Sequence, residues 1–276
     1  LLINEGKFQG CDLNASTISA VKQSKRRLKN HFTPQSLLTQ CGIEQAFDYH
    51  YMRIMRIAVH PQFQQLGIGS TFLTQITEFS TEQGADFLSS SFGATSPLLS
   101  FWLQSDFQIA RIGVSKDKAS GEQSALVLKA LSKPATSALV DINREFYASF
   151  DYLLTDDYKY LVPDLVALIL HHCPSAFLPT LSVRDQQNIE AYAQSYRQYS
   201  SCVFSLHLWL QHCAVAKAFI EDEGFLILLN RIMQKHSIDE ICHHHSITGK
   251  KALEKQLKFS VQQLLSDLPF PKFLHY

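Results

Sequence analysis

Between Arg56 and Ser70 the chain reads Arg56-Ile57-Ala58-Val59-His60-Pro61-Gln62-Phe63-Gln64-Gln65-Leu66-Gly67-Ile68-Gly69-Ser70. A β-rich run comes first, then two glycines one residue apart, then a stretch of helical periodicity. Main-chain N–H groups at such a loop and helix N-terminus point into open space and favour a phosphate. Glycine also lets a ligand approach where a Cβ would intrude. Gln64, Gln65, Leu66, Gly67, Ile68, Gly69 and Ser70 are therefore a candidate anion-binding loop. His60 closes the preceding run. An imidazole ionises near pH ~6.5 and can take a proton from a reacting amine. The alternative, that His60 only caps the run and shapes the His-Pro turn, stays open.

Two basic clusters suit nucleic-acid phosphates. Lys25, Arg26, Arg27 and Lys29 fall at the end of a helix predicted over Ser16–Asn30, where they would also complement its own dipole. Lys250 and Lys251 open a predicted helix, and Lys251, Lys255 and Lys258 share one face of it. RNA contact and a solvated face explain that stripe equally well. Cys242-His243-His244-His245, with His212 and Cys213, lacks the two-element spacing that zinc needs, so no metal is assigned. The six cysteines include no C-x-x-C pair, which reads as reduced thiols in the cytoplasm.

The elements that must position these residues change character near Leu131–Pro134. Before it, strands are predicted at Leu1–Ile3, Met52–Val59, Phe87–Phe92, Phe107–Val114 and Ala125–Leu131. Helices fall between them at Gly69–Gln83 and Pro97–Ser105. Phe72, Leu73, Ile76 and Phe79 give the first of these helices a buried face. After the change, helices are predicted at Ile142–Leu154, Asp157–His172, Arg184–Tyr199, Ser201–Ile220, Gly224–Lys235 and Gly249–Leu265, the second interrupted by Pro163. The expected architecture is an α/β layer over 1–131, with a partly parallel sheet, followed by a mostly helical tail over 132–276.

Composition sets limits. A chain of 276 residues with 46% apolar and 18% charged residues is not disordered. Its 25 Lys+Arg balance 25 Asp+Glu, so no global field draws it to nucleic acid or membrane, and RNA would need a local patch. No apolar run reaches the ~18–20 residues of a membrane span. The first residue is Leu rather than Met, and the opening reads as the C-terminal piece of something longer. The oligomeric state is not legible.

Gln64-x-x-Gly67-x-Gly69 after a strand resembles the acetyl-CoA signature of the GCN5-related N-acetyltransferases (GNAT). The resemblance implies a mixed sheet with flanking helices, loop amides on the acetyl-CoA pyrophosphate, and main-chain groups of Ile57, Ala58 and Val59 along the pantetheine arm. Arg53–Ser70, Phe87–Gly93, Phe101-Trp102, Ser120-Gly121 and the stretch from Arg26-Arg27 to Gln35-Ser36-Leu37 narrow it to the bacterial tRNA(Met) cytidine acetyltransferases. That family implies acetylation of the wobble cytidine of elongator tRNA(Met), tRNA rather than DNA as partner, no membrane, and a tail that helps hold tRNA. ATP or GTP would enter only through an upstream region, since no G-x-x-x-x-G-K-S/T loop occurs here. Trp102 stands where many relatives place a general-acid Tyr, Thr95 where a pantetheine-binding Asn is common, and Pro97 and Gln104 where the tRNA enzymes carry an acid and an Arg. An acetyltransferase for a protein or small amine, and an RNA-binding fragment with little catalysis, remain the rival readings.

Overall fold

Short runs rich in apolar residues, several of them buried on both faces, build five strands among the described residues: β1 (Leu2–Gly6), β2 (His50–Ile54), β3 (Phe87–Gly93), β4 (Gln108–Lys116) and β5 (Gln123–Ala130). They form one sheet ordered β1-β2-β3-β5-β4, parallel between β2 and β3 and antiparallel elsewhere. The computed structural model describes residues 1–11, 13–118, 120–216 and 221–270. It divides into two compact units, Leu1–Phe146 and Tyr147–Tyr276. The division falls inside a helix rather than at the compositional change near residue 131.

In the first unit, helices α1 (Ala15–Lys22), α2 (Phe32–Gln40), α3 (Ile68–Glu82), α4 (Ser96–Leu103) and the start of α5 (Lys133–Leu153) flank the sheet. Val21, Leu37 and Leu38 join Tyr51, Phe87, Leu126 and Leu128 in one buried cluster, and α5 adds Ala135, Leu139 and Ile142. Phe92 lies five residues beyond Phe87 on β3 and so points to the opposite face. There it stacks on Trp102 of α4 at 5.6 Å.

A carboxylate from the sheet anchors α2. Glu5 on β1 is fully buried and accepts the N–H groups of Phe32 and Thr33 at 3.2 and 2.7 Å, and Arg53 Nε at 2.6 Å. Its charge meets the positive end of the helix. His31, at the N-cap position, makes no side-chain cap bond; its Nδ1 accepts from Gly6 N–H at 2.9 Å instead.

The second unit is helical: the end of α5, then α6 (Pro163–His171), α7 (Val183–Ala193), α8 (Tyr199–Ala216), α9 (Glu223–Leu228), α10 (Ile238–His244) and α11 (Lys250–Asp267). A π-helical turn at Leu229–Met233 follows α9 directly. It is held by buried Gln234, whose Nε2 donates to the carbonyls of Tyr158, Lys159 and Leu161 at 3.2, 3.0 and 2.7 Å. A mixed sheet with flanking helices, followed by helices, is the GNAT architecture with a helical tail.

Several sequence expectations are corrected. The strand predicted over Met52–Val59 ends at Ile54. The helix predicted over Ser16–Asn30 ends at Lys22, so Lys25, Arg26, Arg27 and Lys29 lie in the connection to α2. Phe72 and Phe79 are 46% and 47% exposed, and α3 buries Leu73, Ile76 and Ser80 instead. The helix predicted to Tyr199 stops at Ala193, and the one predicted from Asp157 starts at Pro163, which serves as its first residue. Residues 217–220 of the helix predicted over Ser201–Ile220 lie outside the described residues.

Candidate functional site

β2 and β3 run together from Tyr51 opposite Phe87 to Ile54 opposite Ser90, and then part. β3 continues to Gly93, still paired with β5 on its far side. The chain beyond Ile54 turns towards β1: Met55 N–H donates to Leu1 O at 2.9 Å, and the terminal amine donates to Arg56 O at 3.0 Å. Across the opening, the main-chain groups of Ile57 and Ala58 have no partner among the described residues. Val59 uses its carbonyl only, accepting Gln64 Nε2 at 3.1 Å. These residues are not a strand, contrary to expectation, but apart from the Val59 carbonyl their main-chain groups have no partner among the described residues, as at a strand edge.

A 3-10 turn at Pro61–Phe63 leads into the glycine loop. Gly67 is the N-cap of α3, and its φ of +77° lies in the left-handed region that favours glycine. Nothing lies within 4 Å of where its Cβ would stand. The first bond of the helix is Thr71 N–H to Gly67 O at 2.9 Å. The N–H groups of Leu66, Gly67, Ile68, Gly69 and Ser70 consequently have no acceptor among the described residues. They sit at the positive end of a 15-residue helix, in an exposed loop. Gly69 serves a different need from the one its spacing implies. A Cβ there would meet Phe101 Cε2 at 3.1 Å, so this glycine lets α3 approach α4. No Lys or Arg occurs from His60 to Glu82, so side-chain cations from that stretch do not take part in holding an anion.

His60 is exposed. Its Nδ1 accepts Gln62 N–H at 3.3 Å, capping the 3-10 turn, while Nε2 has no partner among the described residues. Trp102 is buried among Phe92, Phe101 and Phe107, and its Nε1–H is unpaired. Thr95 makes no cap bond, Pro97 lies in the first turn of α4, and Gln104 donates to Ser100 Oγ at 3.1 Å. Burial pushes the thiols of Cys41 and Cys173 up to about 11, and raises those of Cys202 and Cys213 as well. None of these four is a ready thiolate nucleophile.

The basic residues divide between the units. In the first unit, Arg26 and Arg27 line a cavity of about 580 Å³ with Ser24, Asn30 and Gln35; Lys25 and Lys29 do not line it. In the second, Lys250 and Lys258 line a groove of about 550 Å³, and Lys251 and Lys255 fall outside it. The sequence reading missed this groove's other members, Tyr192, Tyr196, Arg197, Tyr199 and Arg231. The run Tyr192-x-x-x-Tyr196-Arg197-x-Tyr199 is the signal that would have revealed it. Among the described residues no three His, Cys, Asp or Glu side chains are placed to share a metal ion. His212 Nε2 instead meets Pro179 O at 2.7 Å, and His245 Nε2 meets Asn230 Oδ1 at 3.1 Å.

No family model matches the chain. Individual relatives do. The tRNA(Met) cytidine acetyltransferase TmcA of Vibrio cholerae serotype O1 is 31% identical over 268 residues, covering 97% of this chain and 35% of the relative. The protein of the same name from Nitrosococcus halophilus is 30% identical over 268 residues, covering 96% and 35%. That from Thermococcus kodakarensis is 28% identical over 201 residues, covering 68% and 24%. The chain thus spans about a third of the length of the first two of these relatives. Over nearly its whole length, this chain is thus homologous to proteins named tRNA(Met) cytidine acetyltransferase TmcA, and matches as the C-terminal part of that longer protein.

Proposed function

We propose that this chain transfers the acetyl group of acetyl-CoA to the exocyclic amine of cytidine at the wobble position of elongator tRNA(Met), as the C-terminal piece of a longer cytoplasmic enzyme. The observation that carries the proposal is the opening between β2 and β3, continuous in sequence with a loop of unpaired N–H groups. An extended pantetheine arm has amides to pair with the main chain of Ile57, Ala58 and Val59, and the pyrophosphate suits the N–H groups of Leu66 to Ser70. Gln64 and Gln65 lead into that loop, and Gln64 ties it back to Val59. On this reading the first unit, Leu1–Phe146, supplies the acetyltransferase fold, and the second, Tyr147–Tyr276, the tRNA-binding tail. Any use of ATP or GTP belongs to a region outside the chain.

The cytidine amine is conjugated into its ring and is a weak nucleophile, so positioning and proton removal carry the reaction. Its nitrogen attacks the thioester carbonyl, the C–S bond breaks, and coenzyme A leaves as the thiolate. His60 Nε2, without a partner among the described residues, takes the proton lost by nitrogen. With an indole at position 102, no tyrosine of α4 protonates the thiolate. Lys25, Arg26, Arg27, Lys29, Lys250 and Lys251 meet tRNA phosphates on this reading.

The test is calorimetric titration with acetyl-CoA, followed by an assay for N4-acetylcytidine in a tRNA(Met) transcript. Ser70→Pro is the informative variant. Its ring removes one loop N–H within the first turn, where the helix loses no bond. Binding in the wild type, weakened about tenfold or more in the variant, is the expected result. Equal affinities would overturn the cradle. Acetyl-CoA binding with turnover on a protein amine but not on tRNA would favour the rival acetyltransferase reading.

A further inference from the structure

The groove between α7, α8 and α11 combines cations with aromatic rings in a unit that has no excess of basic residues: 147–276 carry 11 Lys+Arg against 13 Asp+Glu. Arg197, Arg231, Lys250 and Lys258 line it, and Glu254, 4.0 Å from Lys250, is its one acid among the described residues. The rings are built in. Arg231 lies over Tyr199 at 4.7 Å, and Tyr199 OH donates to Arg231 O at 3.1 Å. Lys258 lies over Tyr192 at 5.9 Å, and Tyr192 meets Tyr199 edge-on at 6.2 Å. The π-helical turn sets Arg231, whose guanidinium also donates to His236 O at 2.9 Å. Asn188 holds Arg197 by a hydrogen bond. Tyr196 differs from these: it is 79% exposed at the groove's edge, with no ring partner among the described residues.

Fixed cations with an open aromatic face suit a flexible polyanion whose bases are unstacked. A duplex keeps its base faces covered, and an acidic peptide has no π-face to lay on Tyr196. We infer that this groove binds single-stranded RNA, with phosphates on Arg197, Lys250 and Lys258 and one base stacked on Tyr196. The inference rests on the proposed RNA substrate and adds where, in the helical unit, an unpaired segment of it lies.

The test measures binding of a fluorescent 12-residue oligouridylate by the whole chain across a range of salt. Tyr196→Ala is expected to weaken binding about 5- to 100-fold, and Tyr196→Phe to leave it near wild type. Lys250→Gln with Lys258→Gln is expected to reduce the slope of log K against log salt by about 1.4. A duplex of matched charge and polyglutamate are the competing ligands, and both are expected to bind more weakly. Wild-type binding that Tyr196→Ala leaves unchanged overturns the groove while leaving the acetyl-transfer reading intact. Equal competition by polyglutamate overturns it in favour of an acidic-peptide surface. No RNA binding by the wild type overturns the groove and counts against an RNA substrate, whereas acetyl-CoA titration reports on the transferase loop separately. Circular dichroism checks the fold of each variant.

Discussion

His60 has one ring nitrogen on the turn that follows it and the other without a partner among the described residues, so its two roles can be separated by substitution. Asn is itself a good cap and keeps an acceptor for Gln62 N–H, but it cannot serve as a base near neutral pH. His60→Asn is expected to leave the acetyl-CoA dissociation constant unchanged and to lower kcat for cytidine acetylation about 100-fold or more. A loss confined to acetyl-CoA binding would assign His60 to the turn alone. Glu5 is a second residue whose part is legible only in three dimensions. It stands in a short strand, and nothing in its sequence neighbourhood connects it to Phe32, Thr33 or Arg53. Glu5→Gln removes the buried charge that faces Arg53 and the N-terminus of α2, and is expected to cost about 3 kcal/mol in urea unfolding. The backbone course of the glycine loop, by contrast, was legible locally, although the packing of Gly69 against Phe101 was not. Glycine spacing and a following helix are local properties, and the left-handed φ at Gly67 is what they specify.

At the scale of elements, the contact between α3 and α4 depends on a missing side chain. Gly69→Ala is expected to destabilise the first unit by about 1–2 kcal/mol, and a Phe101→Leu change in the same chain to recover part of it, measured by thermal unfolding. In the second unit, Glu240 accepts the N–H of Ser237, its own N–H is capped by the Ser237 hydroxyl, and Tyr160 OH donates to it. The main-chain and side-chain bonds to Ser237, then the Tyr160 hydroxyl, hold this carboxyl down at about 2, against an ordinary 4.5. A depressed acid contributes its full stability above pH 4.5 and loses it as pH falls towards 2. The acid limb of unfolding for Glu240→Gln is therefore expected to be flatter than wild type across that window. The same capping box, Ser237-x-x-Glu240, announces α10, and the equivalent pair at Ser182 and Asp185 announces α7. Periodicity over longer windows passes over the seven-residue α10. It also misjudged α3, because a stripe of Phe72 and Phe79 looks the same in sequence whether it is covered or not. β2 was drawn too long for a related reason: Ile57 and Val59 are β-branched, but whether a neighbour accompanies them is decided by the course of β3.

For the whole molecule, α5 determines where the first unit can be cut. Ala135, Leu139 and Ile142 are buried in its core, and Asn143 Nδ2 donates to Ile109 O at 2.8 Å. A fragment of residues 1–153 is expected to unfold cooperatively, whereas 1–131 loses two large core side chains worth about 2–5 kcal/mol each and is expected to melt broadly or not at all. Scanning calorimetry of the two fragments checks this. The change in composition near 131 was visible in the sequence, but helix propensity does not say to which unit a helix lends its face. One consequence concerns how the molecule tolerates random change. The glycine loop offers an anion N–H groups that nearly every residue possesses, while the tyrosine-lined groove offers only what particular side chains supply. With the two glycines set aside, an alanine scan of the loop's side chains would find little, and a proline scan would find the loop at once. In a mutant library a preference built from the groove's side chains would wander quickly, and an anion site built from main-chain N–H groups would outlast it.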